Sequence, residues 1–181
     1  MAYRNEHPKP QFERATWECL NGKWDFEFDH GDSGEERKMQ EKDAVYTRTI
    51  EVPFCPQSTL SGIGETDFMR AVWYRRVFTL SPEQLAGRVV LHFGAVDYMA
   101  TVYVNGKKCG THKGGYVSFS MDITDFVTTG DNLLVVRAQD DERNRMIPTG
   151  KQCQKYHSYA CEYTRTTGIW QTVWLEFLPQ T

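Results

Sequence analysis

The sequence predicts an all-β fold, an antiparallel β-sandwich of the jelly-roll kind. Apolar and polar residues alternate in short segments, and turn signals separate these segments at intervals of about ten residues. No segment of about ten residues shows convincing helical periodicity. The 181 residues include five Trp, nine Tyr and ten Phe, and aromatic residues are enriched in strands. Roughly eight short strands with this spacing are typical of a sandwich or a jelly roll.

The clearest strand pattern lies in residues 88–112, RVVLHFGAVDYMATVYVNGKKCGTH. Apolar residues occupy every second position from Val89 to Phe93 and again from Tyr98 to Val104, which is the period of a half-buried strand. Asn-Gly at positions 105–106 supplies the two positive-φ residues of a type I′ turn, a strong hairpin signal. We therefore predict a strand, a turn, a second strand, a two-residue turn and a third strand.

Further strands are predicted from the same alternation along the rest of the chain. They are residues 23–29, 46–52, 71–80, 117–121, 133–138 and 169–178. The charged residues 30–42 are predicted to be a solvated loop between the first two of these strands. Residues 81–84, Ser-Pro-Glu-Gln, have the composition of a capping box with proline at the first helical position, so one short helical turn is expected there.

The chain is predicted to be a single domain, residues 1–181, with two segments outside the strands. Residues 1–16 contain two prolines and are expected to lie as an arm across a surface. Residues 139–167 form a loop of about thirty residues, and so long a loop in a compact domain is usually functional or disordered. Its charged, aromatic and cysteine residues are not the composition of disorder, so we expect an ordered loop that packs against another surface.

Charge and composition argue against several classes of protein. The formal net charge is −3, so no basic surface predicts nucleic-acid binding. No apolar run of about 18 residues is present, so we expect no membrane span. The first residues carry no apolar signal region and the five cysteines are scattered, which together favour reduced thiols and a cytoplasmic location.

Two groups of polar residues in the long loop have both a chemical and a simpler structural interpretation. Cys153, His157 and Cys161 are spaced by four, so on a helix they would share one face and could meet a zinc ion. Since a fourth ligand and the C-x-x-C spacing are missing, packed free thiols and a surface histidine are preferred. The adjacent carboxylates of residues 140–142 could act as a paired acid and base, but a solvated turn is preferred because neighbouring side chains usually diverge.

Five segments along the chain carry motifs of a known family. They are LNGKWDFEFD at residues 20–29, VPFCPQS at 52–58, WYRRVF at 73–78, VYVNGKKCGTHKGGYVSFSMDIT at 102–124 and TTGIWQTVWLE at 166–176. In this order they resemble the N-terminal domain of glycoside hydrolase family 2, the β-galactosidase and β-glucuronidase group. Thr167 stands where the family often has Ser. The five segments together span nearly the whole chain.

The resemblance implies a galactose-binding-domain-like jelly roll that scaffolds a catalytic barrel. In the family this domain precedes an immunoglobulin-like sandwich and a (β/α)₈ barrel, which carries the two catalytic glutamates of a retaining mechanism. Those domains are absent from this chain, so we expect no catalysis by the chain alone and no cofactor in it. The resemblance further implies a β-galactoside or β-glucuronide as substrate, with sodium or magnesium and a homo-oligomer as options for the complete enzyme.

The resemblance also points to candidate site residues, because loops of this domain reach the mouth of the barrel in the family. The matching segments are residues 65–70 and the loop before Gly168, and the candidates for substrate or metal contact are Asp140, Glu162, Tyr163 and Arg165. Carboxylates accept hydrogen bonds from sugar hydroxyls, Arg donates them, and aromatic rings stack on apolar sugar faces. The alternative is a local Arg165–Glu162 salt bridge with the tyrosines as packing.

Other interpretations remain open beside this one. His112 and Trp170 could face a sugar or belong to core or interface packing. Gly-Gly at positions 114–115 is predicted to be a bend that needs positive φ. As a whole, the chain could alternatively be an independent carbohydrate-binding module or a purely structural interaction domain. Exposed aromatic residues and measurable sugar affinity of the isolated domain would favour the binding module.

Overall fold

The computed structural model describes residues 3–141, 143–144 and 146–180, and these residues form two facing antiparallel β-sheets. The predicted all-β antiparallel sandwich is confirmed. In chain order the strands are β1 (Trp17–Cys19), β2 (Gly22–Phe28), β3 (Arg48–Val52), β4 (Ala71–Leu80), β5 (Arg88–Phe93), β6 (Val96–Asp97), β7 (Met99–Val104), β8 (Lys107–Lys113), β9 (Phe119–Asp122), β10 (Gly130–Gln139), β11 (Gly168–Ile169) and β12 (Val173–Leu178). Short 3-10 helices lie at Pro10–Phe12, Thr59–Ser61 and Thr124–Phe126. Across the described ranges, no helix has the length and apolarity needed to cross a bilayer.

The larger sheet has the order β3-β2-β4-β10-β7-β8, and the smaller one the order β1-β12-β5-β9. Strands β11 and β6 form a separate two-stranded sheet. The longest ladder joins β4 and β10, in which Ala71 pairs with Gln139 and Leu80 pairs with Gly130. Since these two strands occupy the centre of the larger sheet, they form the frame around which the other strands are placed.

The hydrophobic core lies between the two sheets and consists of their inward-facing alternate residues. In β2, Trp24 and Phe26 are buried, whereas Lys23 is exposed. Leu91 and Phe93 of β5 are fully buried on the facing sheet. Burial of each such side chain contributes roughly 1.5–3 kcal/mol, so the alternation determines which face of a strand turns inward.

The strands predicted in residues 88–112 are present, but they belong to different sheets. β5 pairs with β9 and β12 in the smaller sheet, whereas β7 and β8 form the edge of the larger one. Asn105 and Gly106 join β7 to β8 with φ angles of 51° and 77°, as a type I′ turn requires. The Asn105 side chain also accepts a hydrogen bond from the Leu133 N–H (2.9 Å), which ties the turn to β10.

The predicted single strand 169–178 is wrong, because it is broken into β11 and β12. Residues 170–172 leave the ladder between these strands. The Trp170 indole N–H turns away to donate to the Gly115 carbonyl (2.7 Å), and the Thr172 carbonyl accepts from the Gly94 N–H (2.8 Å). The alternation of apolar residues continues across this break, so it could not reveal it.

The starts of three other strands differ from the prediction by two or three residues: β3 and β9 begin two residues later, and β10 begins three residues earlier, at Gly130. β3 begins at Arg48 because the Tyr46 hydroxyl donates to the Met39 carbonyl (2.9 Å) and holds that residue outside the ladder. β9 begins at Phe119, and Val117 is exposed. The capping box of residues 81–84 is present as two reciprocal hydrogen bonds between the first and last residue, at 2.8 and 3.3 Å.

Most of the charged residues 30–42 are exposed, as predicted, but the segment also packs against the larger sheet, which the prediction missed. Met39 is buried against Trp73 and Val135 on the outer face of the larger sheet. The Trp73 indole N–H donates to the Asp29 carboxylate (2.9 Å), and the Gly34 N–H donates to the same oxygen (2.8 Å). A Cβ at Gly34 would lie 2.2 Å from the Trp73 indole nitrogen, so the segment covers this ring at a distance only glycine allows. One apolar residue in a charged run gave too weak a signal for this packing.

The N-terminal residues lie along the outer face of the smaller sheet. The His7 ring is buried edge-on against Trp17, with ring centroids 4.7 Å apart. Arg14 forms an ion pair with Glu176 of β12 (3.1 Å), and the Thr16 hydroxyl donates to the Phe177 carbonyl (2.8 Å). These contacts place the arm across a sheet surface.

Two glycines with nearly the same positive φ angle allow the packing around β11 to be tested. Gly168 and Gly62 have φ of 77° and 81°, but a Cβ at Gly168 would lie 2.2 Å from the Tyr74 hydroxyl, whereas nothing lies within 4 Å of a Cβ at Gly62. We expect Gly62→Ala to lower the free energy of unfolding by about 1–2 kcal/mol, the cost of a left-handed residue with a side chain. Gly168→Ala should lower it by a further 1–3 kcal/mol or so through overpacking. Urea unfolding of both variants measures the difference, and equal effects would contradict this account.

Candidate functional site

The long loop, residues 140–167, is held in place by the buried side chain of Arg165. Only 1% of Arg165 is exposed, and its guanidinium group donates to four backbone carbonyls. These belong to Cys153 (2.8 Å), Lys155, Tyr156 (3.3 Å) and Thr66. The group also lies 4.1 Å from the centre of the Phe68 ring. The five N–H donors of Arg suit this arrangement, which fastens the long loop to the segment 65–70.

Asp140 is also buried, at the point where β10 ends and the long loop begins. Its N–H donates to the Arg70 carbonyl (3.0 Å), and its carboxylate accepts from the Thr167 hydroxyl (3.4 Å). That hydroxyl in turn accepts from the Gln57 amide (2.9 Å). Asp140 borders a cavity of about 360 Å³ that is lined by both acidic and basic side chains. The lining residues are His30, Phe68, Met69, Arg70, Asp140, Asp141 and Arg143.

Glu162 and Tyr163 lie nearer the surface of the same loop. Glu162 is half-buried, and 47% of Tyr163 is exposed. The Tyr163 backbone is fixed on both sides, since its N–H donates to the Lys151 carbonyl (3.0 Å) and its carbonyl accepts from the Cys153 N–H (2.8 Å). The structure therefore divides the four predicted residues: two are internal and two are presented at the loop surface. An Arg165–Glu162 pair is not among the ion pairs of the described residues.

A second polar cluster, which the sequence did not reveal, lies directly beside this loop. Asp97 ends β6, pairs with Gly168 of β11 and is only 2% exposed. The Gln152 amide donates to the Asp97 carboxylate (2.7 Å) and to the Tyr116 hydroxyl (3.0 Å). A Cβ at Gly115 would lie 2.2 Å from the carboxylate, so the backbone of the glycine bend closes over Asp97.

Burial determines the electrostatics of this cluster. Removal from water raises the pKa of the Asp97 carboxyl to about 6, although the hydrogen bond from Gln152 acts in the opposite direction. Burial, together with a hydrogen bond to Tyr163, likewise raises the pKa of the Tyr116 hydroxyl to about 12. The cluster thus combines an internal carboxyl with phenol groups at its rim. Such an arrangement can shape and orient a polar ligand, whereas the covered carboxyl is not placed to exchange protons with one.

The other residues singled out in the sequence fall into structural roles. His112 stacks on Phe119 with ring centroids 4.1 Å apart, and Trp170 is half-buried beside Tyr116 at 5.8 Å. The bend at positions 114–115 is present, and Gly114 has a φ of 132°. The signal that could have revealed Asp97 is an acidic residue inside an otherwise apolar strand pattern, since such a residue must be exposed or hydrogen-bonded.

The zinc hypothesis is wrong because the helix it needs does not form. Residues 153–161 contain no helix, the Cys153 thiol donates to the His157 carbonyl (3.3 Å), and Cys161 is exposed. Nowhere in the described ranges are three His, Cys, Asp or Glu side chains grouped to hold a metal ion. Of the paired carboxylates, Asp140 is buried and Asp141 exposed, so they diverge, and residue 142 lies outside the described residues.

The raised pKa of Asp97 predicts a pH-dependent effect of Asp97→Asn. The folded chain binds the carboxyl proton more tightly than the unfolded chain, so the protonated aspartate stabilises at low pH and this contribution is lost as the pH rises from about 4 to about 6. Asn mimics the neutral form at every pH. We expect Asp97→Asn to raise the free energy of unfolding relative to wild type by roughly 2–3 kcal/mol more at about pH 8 than at about pH 4.

Urea unfolding at the two pH values checks this difference. The exposed Asp43 provides the matched control, because Asp43→Asn is the same substitution at a residue open to solvent, and its effect is subtracted at each pH. A pH-independent effect of Asp97→Asn would mean that the pKa of this carboxyl is the same in the folded and the unfolded chain.

Comparison with known proteins agrees with the sequence motifs. Residues 49–171 match the family described as glycosyl hydrolase 2 galactose-binding domain-like. A beta-galactosidase of Thermoanaerobacter pseudethanolicus is 34% identical over 119 residues, which are 65% of this chain and 15% of that protein. A beta-glucuronidase of Bacteroides fragilis is 31% identical over 131 residues, which are 71% of this chain and 17% of that protein.

Solved structures with the same fold come from the same group of enzymes. A Ruminococcus gnavus beta-glucuronidase superposes on 93% of this chain with a TM-score of 0.74 and 23% identity, and the match covers 30% of that chain. A beta-glucuronidase from an uncultured Clostridium species gives a TM-score of 0.69 at 26% identity and covers 92% of this chain. The chain thus spans less than a third of the length of these relatives. It belongs to the glycosyl hydrolase 2 galactose-binding domain-like family and is an N-terminal galactose-binding-like domain of the kind found in family 2 glycosidases.

Proposed function

We propose that this chain serves a retaining β-glycosidase, acting on a terminal β-galactoside or β-glucuronide, as the domain that scaffolds the catalytic barrel and forms one side of the sugar subsite. The observation that carries the proposal is the set of hydrogen bonds from Arg165 to four backbone carbonyls. It orders a long loop without regular secondary structure and leaves Glu162 and Tyr163 at its surface. Relatives named beta-galactosidase and beta-glucuronidase supply the two candidate substrate classes.

The exposed part of the loop has the chemistry of a sugar contact. The Glu162 carboxylate accepts hydrogen bonds from hydroxyl groups, and the Tyr163 phenol both donates and accepts. Tyr156 and Tyr159 add further exposed rings on the same loop. The cation of Lys155 lies 3.9 Å from the Tyr159 ring centre and orients it. These groups can bind and orient a sugar, whereas the two carboxylates that a retaining reaction needs would come from the barrel.

The setting of the complete protein is also part of this proposal. All five cysteines are free, which suits a reducing compartment and supports the cytoplasmic location expected from the sequence. A homo-oligomer is compatible with the proposal but contributes nothing to the argument from the loop.

The proposal predicts hydrolysis by the complete gene product and not by this chain alone. A panel of nitrophenyl α- and β-glycosides should show activity on the β-galactoside or the β-glucuronide, and the anomeric proton of the first-formed product should show retention by NMR. Activity of the chain alone, or inversion, would contradict the division of roles between loop and barrel. No activity in either, with sugar affinity of the chain alone, would instead favour an independent carbohydrate-binding module.

The proposal also predicts that Glu162 contributes to substrate binding in the complete gene product. Glu162→Gln removes a charged acceptor, and a hydrogen bond to a charged group is worth about 1.5–3 kcal/mol, so kcat/KM should fall roughly 10–100-fold. Tyr163→Phe should give a smaller loss, mainly in KM. The controls are Glu36→Gln and Tyr3→Phe, which change an exposed residue of each type outside the long loop. Equal losses in variant and control would rule out a specific contact.

A further inference from the structure

The part of the long loop that carries Glu162 and Tyr163 is closed at its base by one buried carboxamide. Gln152 is 5% exposed, and all of its polar atoms have partners. Its amide nitrogen donates to Asp97 (2.7 Å) and Tyr116 (3.0 Å), and its carbonyl accepts from the Thr166 N–H (2.6 Å). One side chain thus connects the start of the segment 153–165, its end and a fixed strand of the domain.

The backbone at Gln152 reinforces this closure. Gln152 forms a parallel bridge with Tyr163, so the two ends of the segment lie side by side. Fixing the ends of a flexible segment removes most of the conformations it would otherwise sample. The position of Glu162 and Tyr163 therefore depends on the contact between Gln152 and Asp97.

Asp97 is a fixed reference point for that contact. Its strand pairs with β11 at Gly168, and the backbone of Gly115 covers the carboxylate. The Gly115 carbonyl is itself held by the Trp170 indole N–H (2.7 Å). The carboxylate therefore has little freedom to follow the loop, and the loop must adapt to it.

The network admits only one orientation of the carboxamide. A flipped group would present its oxygen to the Asp97 carboxylate and its N–H to the Thr166 N–H, and both contacts would be repulsive. A side chain that merely filled space would have no such requirement. The polarity of the contact, rather than its volume, is the feature that positions the segment.

We propose that Gln152 is a positioning residue. By holding the segment 153–165 against Asp97, it fixes the positions of Glu162 and Tyr163 relative to the sugar. The part of this inference that concerns the sugar rests on the proposed function. The part that concerns the loop stands on the hydrogen bonds alone. The two can therefore fail separately.

A reciprocal exchange of donor and acceptor tests the proposal in the complete gene product. Gln152→Glu places two carboxylates in contact and removes the donor. Adding Asp97→Asn restores a donor on the opposite side, and both the Tyr116 hydroxyl and the Thr166 N–H can donate to the new carboxylate. Gln154→Glu, an exposed change of the same kind in the same loop, is the control.

We expect Gln152→Glu to raise KM at least tenfold near neutral pH with a much smaller change in kcat. The reason is that the displaced loop loses contacts that bind the substrate and the transition state equally. Amide hydrogen exchange in residues 153–166 should accelerate at least tenfold. The double variant should restore both quantities to within about threefold of wild type, as a satisfied pair would. The KM defect of the single variant should also shrink as the pH falls, because protonation of the two facing carboxyls removes their repulsion. The titratable groups that face Asp97 are Tyr116 and, through it, Tyr163, and burial raises the pKa of the Tyr116 hydroxyl to about 12, so this phenol stays neutral.

Several results would overturn the proposal. Exchange in Gln152→Glu no faster than in Gln154→Glu would show that the carboxamide does not hold the segment. A double variant as impaired as the single one would show that the pairing of donor and acceptor is irrelevant. If the single variant does not fold, the double variant decides, and its failure to fold would also refute the proposal. Exchange as expected in a protein without glycosidase activity would refute the proposed function and leave the positioning role intact.

Discussion

The central ladder between β4 and β10 is the constraint on which the rest of this structure depends. The residues of its ten pairs alternate between an inner and an outer face of the sheet. Tyr74 of β4 points inward, where its hydroxyl accepts from the Ile169 N–H (3.2 Å) and so fixes β11. Trp73 points outward and is covered by the charged segment. Just beyond the ladder, the Asp140 N–H continues the pairing to the Arg70 carbonyl. The same ladder thus determines the core, the outer covering and the start of the long loop.

The long loop is ordered by a different principle, the need to satisfy buried polar groups. It has no sheet to provide partners for its backbone, and unpaired buried carbonyls are costly. Arg165 donates hydrogen bonds to four of these carbonyls. Gln152 donates to the Asp97 carboxylate and accepts from the Thr166 N–H. Because each donor is matched to a particular acceptor, the loop has one arrangement rather than many. The Glu162 and Tyr163 side chains remain at its surface as a consequence.

This difference explains how much of the molecule could be predicted from its sequence. Strand alternation is local, so most strands and the Asn105–Gly106 turn were predictable from it. The covering of Trp73 and the break after Ile169 were not, because each depends on hydrogen bonds between residues far apart in the chain. Asp97 and Gln152 are separated by 55 residues, and neither has a local signal that names the other. The family resemblance pointed to this loop, but it did not separate the internal Arg165 from the surface Glu162.

The division between internal and surface side chains of the loop also affects whether such a domain can bind sugar by itself. Glu162 and Tyr163 offer a few hydrogen bonds, each worth a net 0.5–1.5 kcal/mol or so, and up to about 3 for the charged group. A millimolar affinity already requires about 4 kcal/mol after the cost of association has been met. Two side chains on an open loop therefore give weak binding by themselves. Where a barrel already binds the sugar, the contacts with the barrel have met the free-energy cost of association. Hydrogen bonds from Glu162 and Tyr163 would then add fully to the binding free energy. The geometry of the loop favours a domain that completes a neighbouring site over one that forms its own.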